Sequence, residues 1–386
     1  MFPDERKIRV LAHADSRIFS GAESLFCDVV NGLSGDDRFE VVASAPPENP
    51  DLTAALADAA DSGPVPVSAQ PLRLAAFHLY DPRRILASRK AMTEVDPDVV
   101  FLNLPSPEYG ATPLLAGLDH EVPILGLVHI TAGMKEHGFR FGGARELLSR
   151  RALRRLDRAC VVSDAAAGSF HEQWGSKDRH PALIRLREPA VTPESRELSR
   201  HRLGLPSDAG VIGIAGRLTA KQKGHDTLIE ASVEMLRDRP DLIFVVAGDG
   251  PDLAMLEEQA RSAGVSTNWR FLGAVRPLDS FYGAIDLIAI PSRFEGLPLV
   301  ALEAIEAGVP GVASAVDGLA DVWPADWRVL PDAPDALADR LAGLLEADPE
   351  ELDSGIVEAR QRMNAHVTAD PSDDVSNLLA GMVSHA

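Results

Sequence analysis

The sequence predicts an α/β protein of two domains, each built on a doubly wound, mostly parallel β-sheet. Apolar runs of strand length alternate with helix-patterned segments along the chain, and this alternation is typical of parallel sheets covered by helices. A polar, proline-containing stretch at 187–209 separates two such series and is predicted to be a linker. The length of 386 residues suits two domains, which we predict over 1–190 and 191–370.

The first series begins with an apolar strand, a short loop and a helix that ends near Leu33. Gly21 stands in the loop just before this helix. A strand, a glycine-containing loop and a helix in this order present free N–H groups to a phosphate, although one glycine is also an ordinary turn residue. Strands are predicted near 8–14, 39–45, 65–70, 98–103, 123–129, 159–163 and 182–186, and further helices near 51–61, 81–94, 143–156 and 165–174.

His129 ends the apolar strand that begins at Ile124. A histidine there is either a core residue or a functional one. Its place at the carboxyl end of a strand and the glycine-bearing loop that follows, 130–143, both favour function, since ligands of open α/β sheets bind at that edge.

The second series begins with a strand at 211–215, which Gly216 and Arg217 follow. Lys223 and Gly224 are then predicted to open a helix. A lysine at the amino end of a helix is unfavourable against the helix dipole unless an anion binds there. Arg217 and Lys223 are therefore either solvated loop charges or the ligands of a diphosphate, for which Arg offers a fork of donors and Lys a point charge.

The stretch 286–315 contains a strand at Leu287–Ile290, a turn with Glu295 and Gly296, and a helix that starts near Pro298. Glu303 lies inside this helix with apolar residues on its face. Such a carboxylate is commonly solvated or salt-bridged, but paired ribose hydroxyls would also satisfy its lone pairs. Two further strands, near 242–247 and 270–272, end at the same edge, the first at Gly248.

These residues resemble the E-x7-E signature of the family-4 retaining glycosyltransferases, which have the GT-B fold. The match consists of Glu295, Gly296, Leu299, Val300, Glu303, Ala304, Gly308 and Pro310. The resemblance implies that Glu295 holds the donor sugar and that Glu303 holds the ribose of the nucleotide. Gly216-Arg217 and Lys223-Gly224 are similar to the family's Gly-Arg…Lys-Gly motif, whose basic residues stabilise the departing nucleotide.

The same resemblance extends to the first half. Ser20-Gly21-Ala22-Glu23 looks like the family's Gly-Gly-x-Glu loop, with Ser20 in place of the first glycine, and His129 matches a histidine near the reacting sugar. It implies two Rossmann-like domains facing a central cleft, with the acceptor on the first, the donor on the second and a terminal helix, about 371–386, returning to the first. The implied catalytic residues are His129, Arg217, Lys223 and Glu295; the implied donor-binding residues are Gly21, Gly216, Arg217, Lys223, Gly248, Val275, Arg276, Glu295, Gly296, Leu297, Leu299, Val300 and Glu303.

The composition of the chain argues against two classes of binding partner. A net charge of −20 argues against nucleic acid and against anionic lipid, both of which need basic surfaces. No apolar run reaches the length of a membrane span, and the charged start lacks the apolar segment of a signal peptide, so we expect a cytoplasmic protein. Cys27 and Cys160 are expected to be reduced, and no cofactor or metal is expected, since Asp96-Pro97-Asp98 precedes a strand and is better explained as a turn.

The function expected from the resemblance is transfer of a sugar, with retention of configuration, from a nucleotide-diphosphate sugar to a soluble small-molecule acceptor. Natural-product, antibiotic and low-molecular-weight thiol biosynthesis are the settings that the resemblance suggests. A GT-B-type sugar-nucleotide epimerase, a transferase acting on lipid or polysaccharide, and a two-domain binding protein are the alternatives. The sequence leaves open the base, the sugar, the acceptor and whether the chain forms a homodimer.

Overall fold

The computed structural model describes residues 6–16, 18–59, 65–66, 82–109, 114–115, 122–135, 138–174 and 180–384. The chain divides into an amino unit, residues 1–187 with 366–386, and a carboxy unit, residues 188–365. Each unit has its own parallel sheet. Within the described residues, no helix is both long and apolar enough to cross a bilayer.

The amino unit is built on seven parallel strands in the spatial order β3-β2-β1-β4-β5-β6-β7. The strands are β1 (Ile8–His13), β2 (Phe39–Ala45), β3 (Val65–Pro66), β4 (Val99–Leu104), β5 (Ile124–Val128), β6 (Arg158–Val161) and β7 (Ala182–Leu183). All residues of β4 and β5 are buried, as expected for strands covered by helices on both faces. The order reverses between β1 and β4, which makes their carboxyl ends the switch point of this sheet.

The helices described for this unit are α1 (Gly21–Ser34), α2 (Pro50–Ala59), α3 (Pro82–Val95), α4 (Gly142–Leu153), α5 (Asp164–Trp174) and the terminal α15 (Ser372–Ser384). The terminal helix packs on α1 so closely that a Cβ on Gly32 would lie 2.1 Å from the hydroxyl of Ser372. Asp374 of the same helix accepts hydrogen bonds from the backbone and guanidinium of Arg185. The end of the chain is thus part of the amino unit.

The carboxy unit has six parallel strands in the order β11-β10-β9-β12-β13-β14. They are β9 (Val211–Ala215), β10 (Ile243–Ala247), β11 (Trp269–Phe271), β12 (Leu287–Ile290), β13 (Gly311–Ser314) and β14 (Arg328–Val329). The helices are α6 (Arg196–Arg202), α7 (Ala220–Lys223), α8 (His225–Asp238), α9 (Leu253–Ser262), α10 (Asp279–Ala284), α11 (Leu299–Ala307), α12 (Asp317–Val322), α13 (Pro334–Glu346) and α14 (Pro349–Met363). The strand order reverses between β9 and β12.

Two predictions about the middle of the chain are wrong. The stretch 187–209 is not only a linker, because it contains α6, whose Arg200 is 2% exposed and donates to the carbonyls of Ala284, Ser207 and Ala209. The strand predicted at 182–186 is two short strands: β7 joins the large sheet, while β8 (Leu186–Arg187) pairs with β15 (Val367–Thr368). Of the strand predicted at 65–70, residues 67–70 lie outside the described residues.

Candidate active site

In the carboxy unit, the predicted donor residues gather at the switch point of the sheet. β9 and β12 are neighbours, and their carboxyl ends continue into Gly216-Arg217 and into the turn from Pro291 to Gly296. A parallel sheet leaves a crevice where its order reverses, and ligands of such sheets bind there. The chain therefore brings both of its predicted charged motifs to one edge.

Gly224 holds the Lys223 loop against the end of β12. Its φ of +67° is left-handed, and a Cβ there would lie 1.9 Å from the carbonyl oxygen of Pro291. Arg293 ties the same loops together: its backbone N–H donates to the carbonyl of Gln222 at 2.7 Å and its guanidinium binds Asp226 at 2.9 Å. The helix predicted to open at Lys223-Gly224 instead begins at His225, because the left-handed glycine interrupts it.

Lys223 and Glu295 form an ion pair, with the lysine Nζ 2.6 Å from the carboxylate Oε1. The hydroxyl of Ser292 donates to the same oxygen at 2.8 Å. Glu295 is only 4% exposed, whereas the lysine side chain is 19% exposed. A buried carboxylate with two donors on one oxygen is held firmly, and its second oxygen makes no hydrogen bond with the described residues.

The turn that carries Glu295 is fixed by the first residues of α12, the helix that follows β13. Asp317 accepts a hydrogen bond from the backbone N–H of Glu295 at 2.8 Å, and Gly318 donates to the carbonyl of Gly296 at 2.9 Å. Asp317 adopts a φ of +41°, which is uncommon for a residue other than glycine. The start of α12 thus supports the turn that carries Glu295.

Glu303 is half-buried in α11 and accepts a hydrogen bond of 2.8 Å from the hydroxyl of Tyr282. Burial raises the pKa of its carboxyl, while the hydrogen bond from Tyr282 and the positive charge of Arg276 partly offset this. Burial and the neighbouring carboxylate likewise raise the pKa of the Tyr282 phenol. Arg276, which the family resemblance implied as a donor-binding residue, thus lowers the pKa of Glu303.

Glycines line the rest of this edge because the backbones approach closely. Gly248 donates its N–H to the carbonyl of Gly273 at 2.8 Å, and a Cβ on Gly248 would lie 1.8 Å from the carbonyl oxygen of Gly216. The ends of β9, β10 and β11 thus meet at Gly216, Gly248 and Gly273. Side chains larger than hydrogen cannot stand at Gly248 without moving this backbone.

The remaining predicted donor residues lie close in sequence to these groups. Arg217 is exposed, and its guanidinium makes no hydrogen bond or ion pair within the described part of the chain. Leu299 and Val300 form the first turn of α11, where backbone N–H groups lack partners inside the helix. Leu297 is buried just before this helix, and Val275 is half-buried beside Arg276.

In the amino unit, His129 follows β5 and is 7% exposed. Its Nε2 lies 2.8 Å from Oδ1 of Asn103, near the end of β4, and its backbone N–H donates to the carbonyl of Leu104 at 3.1 Å. Burial lowers the pKa of the imidazole to about 3, so the ring is neutral at physiological pH. Asn103 was not predicted, because an asparagine within an apolar strand gives no periodic signal.

Gly21 was predicted in the loop before the first helix and is instead the first residue of α1, with Ser20 as the residue before the helix. Ser20, which departs from the glycine of the resembled motif, has a role of its own. Its backbone N–H and its hydroxyl both donate to Oε2 of Glu23, at 2.9 and 2.6 Å. A serine just before a helix and a glutamate three residues later form a capping box, which satisfies free backbone N–H groups at the start of the helix.

Comparison with known families assigns both units. Residues 19–185 match the family model described as Glycosyltransferase Family 4, and residues 195–364 match the model described as Glycosyl transferases group 1. The chain belongs to the glycosyltransferases.

Several curated relatives share one name. The glycosyltransferase is 34% identical over 249 residues to the D-inositol 3-phosphate glycosyltransferase of Corynebacterium urealyticum, covering 58% of each chain. It is 30% identical over 264 residues to the protein of the same name from Corynebacterium diphtheriae, covering 63% of this chain and 62% of the relative. The matched region therefore spans less than two thirds of either relative.

Solved structures show the fold. The Anabaena HepE protein, crystallised with UDP-glucose, superposes with a TM-score of 0.77 at 19% identity, over 97% of this chain and 100% of that one. Sucrose-phosphate synthase from Thermosynechococcus elongatus gives a TM-score of 0.78 at 18% identity, over 99% and 100%. The fold predicted from the sequence, GT-B with two Rossmann-like units and parallel sheets, is confirmed.

Proposed function

We propose that this glycosyltransferase moves a sugar, with retention of configuration, from a nucleotide-diphosphate sugar to a soluble small-molecule acceptor. The Lys223–Glu295 pair at the switch point of the carboxy sheet is the observation that carries the proposal. It places a fixed cation and a carboxylate with an unused oxygen side by side, at the sheet edge where Arg217 follows β9. A donor with a diphosphate and a hydroxylated sugar needs both kinds of group.

Each of these groups would have a separate role in the transfer of the sugar. Departure of the nucleotide builds negative charge on the diphosphate, which Arg217, Lys223 and the first N–H groups of α11 would stabilise. Glu295 would orient the sugar hydroxyls, and Glu303 would bind the ribose. A phosphate oxygen of the donor would take the proton of the acceptor, so the proposal assigns no general-base carboxylate. The two cations would replace a metal ion, and we propose a metal-independent reaction.

The names of the relatives make D-inositol 3-phosphate the first acceptor to test. Unphosphorylated inositol should be tested as a second acceptor, because an arginine of the amino unit is already paired with a carboxylate. Arg145 of α4, 13% exposed, is ion-paired with Glu108 of the loop after β4, which is 4% exposed. A guanidinium already neutralised by a buried carboxylate attracts a phosphate less than a free one. We therefore include the Glu108→Gln variant, which would release Arg145.

The experiment incubates wild type and Glu108→Gln with nucleotide sugars that carry glucose or N-acetylglucosamine on UDP, GDP, ADP or TDP. Each reaction contains either inositol or inositol phosphate as acceptor and is run with and without EDTA. The proposal predicts acceptor-dependent release of one nucleoside diphosphate, an unaffected rate in EDTA and a product whose anomeric configuration matches the donor by NMR. An inverted product would refute retention, and a rate abolished by EDTA and restored by Mg²⁺ would refute metal independence.

The same reactions separate the alternatives. A sugar-nucleotide epimerase would change the donor sugar without any acceptor and without releasing the diphosphate. A binding protein would do neither. A transferase of lipid or polysaccharide would release diphosphate faster with anionic vesicles or glycan than with either inositol. Any of these patterns would contradict the proposed soluble acceptor.

A further inference from the structure

A chain of buried polar side chains runs from the start of α1 to His129. Glu23 receives two hydrogen bonds from Ser20 on Oε2, and its Oε1 lies 3.4 Å from Nδ2 of Asn103. Oδ1 of Asn103 lies 2.8 Å from Nε2 of His129. Glu23 is 1% exposed and Asn103 is fully buried. Buried networks of this kind fix the orientation of every member when all of their hydrogen bonds are made.

The chemistry of these side chains decides which group donates and which accepts in each hydrogen bond. A carboxylate only accepts hydrogen bonds, so Asn103 must turn its amide NH₂ towards Glu23. Its carbonyl oxygen then faces His129, and an oxygen requires a donor there. Nε2 of His129 therefore carries the proton, and Nδ1 keeps its lone pair. Nδ1 makes no hydrogen bond with any residue that the structure describes.

We propose that Glu23 and Asn103 are positioning residues that hold His129 as its Nε2–H tautomer, so that Nδ1 accepts a hydrogen bond from a hydroxyl group of the bound acceptor. This inference rests on the proposed function for the identity of the ligand. The opposite tautomer would present an N–H at Nδ1, which a hydroxyl could meet only by turning its oxygen lone pair towards the ring. The low pKa of the buried ring supports the assignment, because a neutral imidazole has one acceptor nitrogen.

The Glu23→Gln variant tests this series of hydrogen bonds, because it reverses their direction while keeping the size of the side chain. The glutamine oxygen would accept from Ser20, so its NH₂ would face Asn103. Asn103 would then turn over and donate to Nε2 of His129, which would move the proton to Nδ1. The Glu23→Gln/Asn103→Asp double variant provides the rescue, since an aspartate between two donors restores the Nε2–H form.

Two measurements read the result. In protein with ¹⁵N-labelled histidine at pH 8, the imidazole nitrogens of His129, assigned by their absence in His129→Gln, show which one is protonated. The proposal predicts a protonated Nε2 in wild type, a protonated Nδ1 in Glu23→Gln and a return to Nε2 in the double variant. Turnover should fall about tenfold in Glu23→Gln, the factor that one hydrogen bond of ordinary strength represents, and recover in the double variant.

Either of two results would overturn the inference: a protonated Nδ1 in wild type, or an unchanged tautomer and turnover in Glu23→Gln. Binding of the nucleoside diphosphate should stay within about twofold in all three proteins, because the side chains proposed to bind it, Arg217, Lys223 and Glu303, lie in the carboxy unit and Gly21 offers only its unchanged backbone N–H. If wild type transferred no sugar at all, the proposed function would fail, while the NMR signals of His129 would still decide the tautomer.

Discussion

Removal of the Lys223 ammonium should separate the structural role of the pair from its role in catalysis. Lys223→Ala leaves the carboxylate of Glu295, 4% exposed, without the cation that lies 2.6 Å away. Breaking a buried ion pair costs about 3–5 kcal/mol. We expect about 3 kcal/mol, the lower end, because Ser292 still donates to Glu295 and because the lysine is partly in contact with water.

Turnover should fall as well, by a factor that is independent of the loss of stability. A group that stabilises developing charge contributes about 3 kcal/mol, so Lys223→Ala should lose at least about 10²-fold in kcat under conditions in which it is folded. The Lys223→Met/Glu295→Gln double variant removes both charges. It should regain most of the stability, since a neutral pair needs no counterion, and it should remain catalytically impaired.

Unfolding of the carboxy unit can be followed directly. Three of the four tryptophans, Trp269, Trp323 and Trp327, are buried in that unit, so urea titrations monitored by fluorescence report mainly on it. Arg237→Ala, which removes an exposed cation on α8 of the same unit, is the matched control and should change neither quantity. A double variant with turnover within threefold of wild type would refute the reasoning, because the pair would then serve the fold alone.

Three other substitutions test the geometry. Gly224→Ala should destabilise the carboxy unit by more than Gly204→Ala in urea unfolding, because both have left-handed φ angles, +67° and +64°, but only the first adds a Cβ that meets a carbonyl oxygen; equal losses would contradict the close approach. Tyr282→Phe should cost about 0.5–1.5 kcal/mol by the same fluorescence titration, since it removes the hydrogen bond to Glu303, and an unchanged midpoint would show that this bond is not made in solution. His129 has a pKa of about 3 when folded and 6.5 as the ordinary value, so the unfolded chain binds more protons between these values and stability falls as the pH drops below 6.5. Calorimetry at pH 7.5 and 5 should show that His129→Gln loses about 2 kcal/mol less than wild type over this interval, and equal losses would mean that the ring is not buried as described.

The sequence predicts the strands of this protein well because buried parallel strands are continuous apolar runs. Leu287–Ile290 is recovered to the residue, and most other strands differ by one or two positions. The helix in the stretch 187–209 was missed, since α6 is short and polar and its one deeply buried side chain is an arginine, Arg200. Its burial depends on carbonyl groups that lie as far as 84 positions away in the chain.

In the candidate site too, residues in local motifs could be predicted from the sequence, and residues brought together only by the fold could not. Motifs with local spacing, such as Lys223-Gly224 and Glu295 with Glu303, could be found in one sequence. Their partners could not, because Tyr282 and Glu303 are joined by the fold and have no shared period. The same is true of Asn103, which reaches His129 from a neighbouring strand. In the sequence, Gly224 was found by its place after Lys223 in the resembled motif, whereas the structure shows why a glycine is needed there: a Cβ would meet the carbonyl oxygen of Pro291, just after β12.

Calorimetric titration of UDP, GDP, ADP and TDP into wild type, Glu303→Ala and Glu306→Ala tests most directly whether the carboxy edge of the second sheet binds the donor nucleotide. Glu306 lies on the same helix but is exposed, so its replacement controls for changes in helix propensity. The account predicts that one nucleotide binds at micromolar strength, that Glu303→Ala loses about 1–3 kcal/mol of binding free energy and that Glu306→Ala binds like wild type. Binding of no nucleotide, or equal binding by all three proteins, would contradict it.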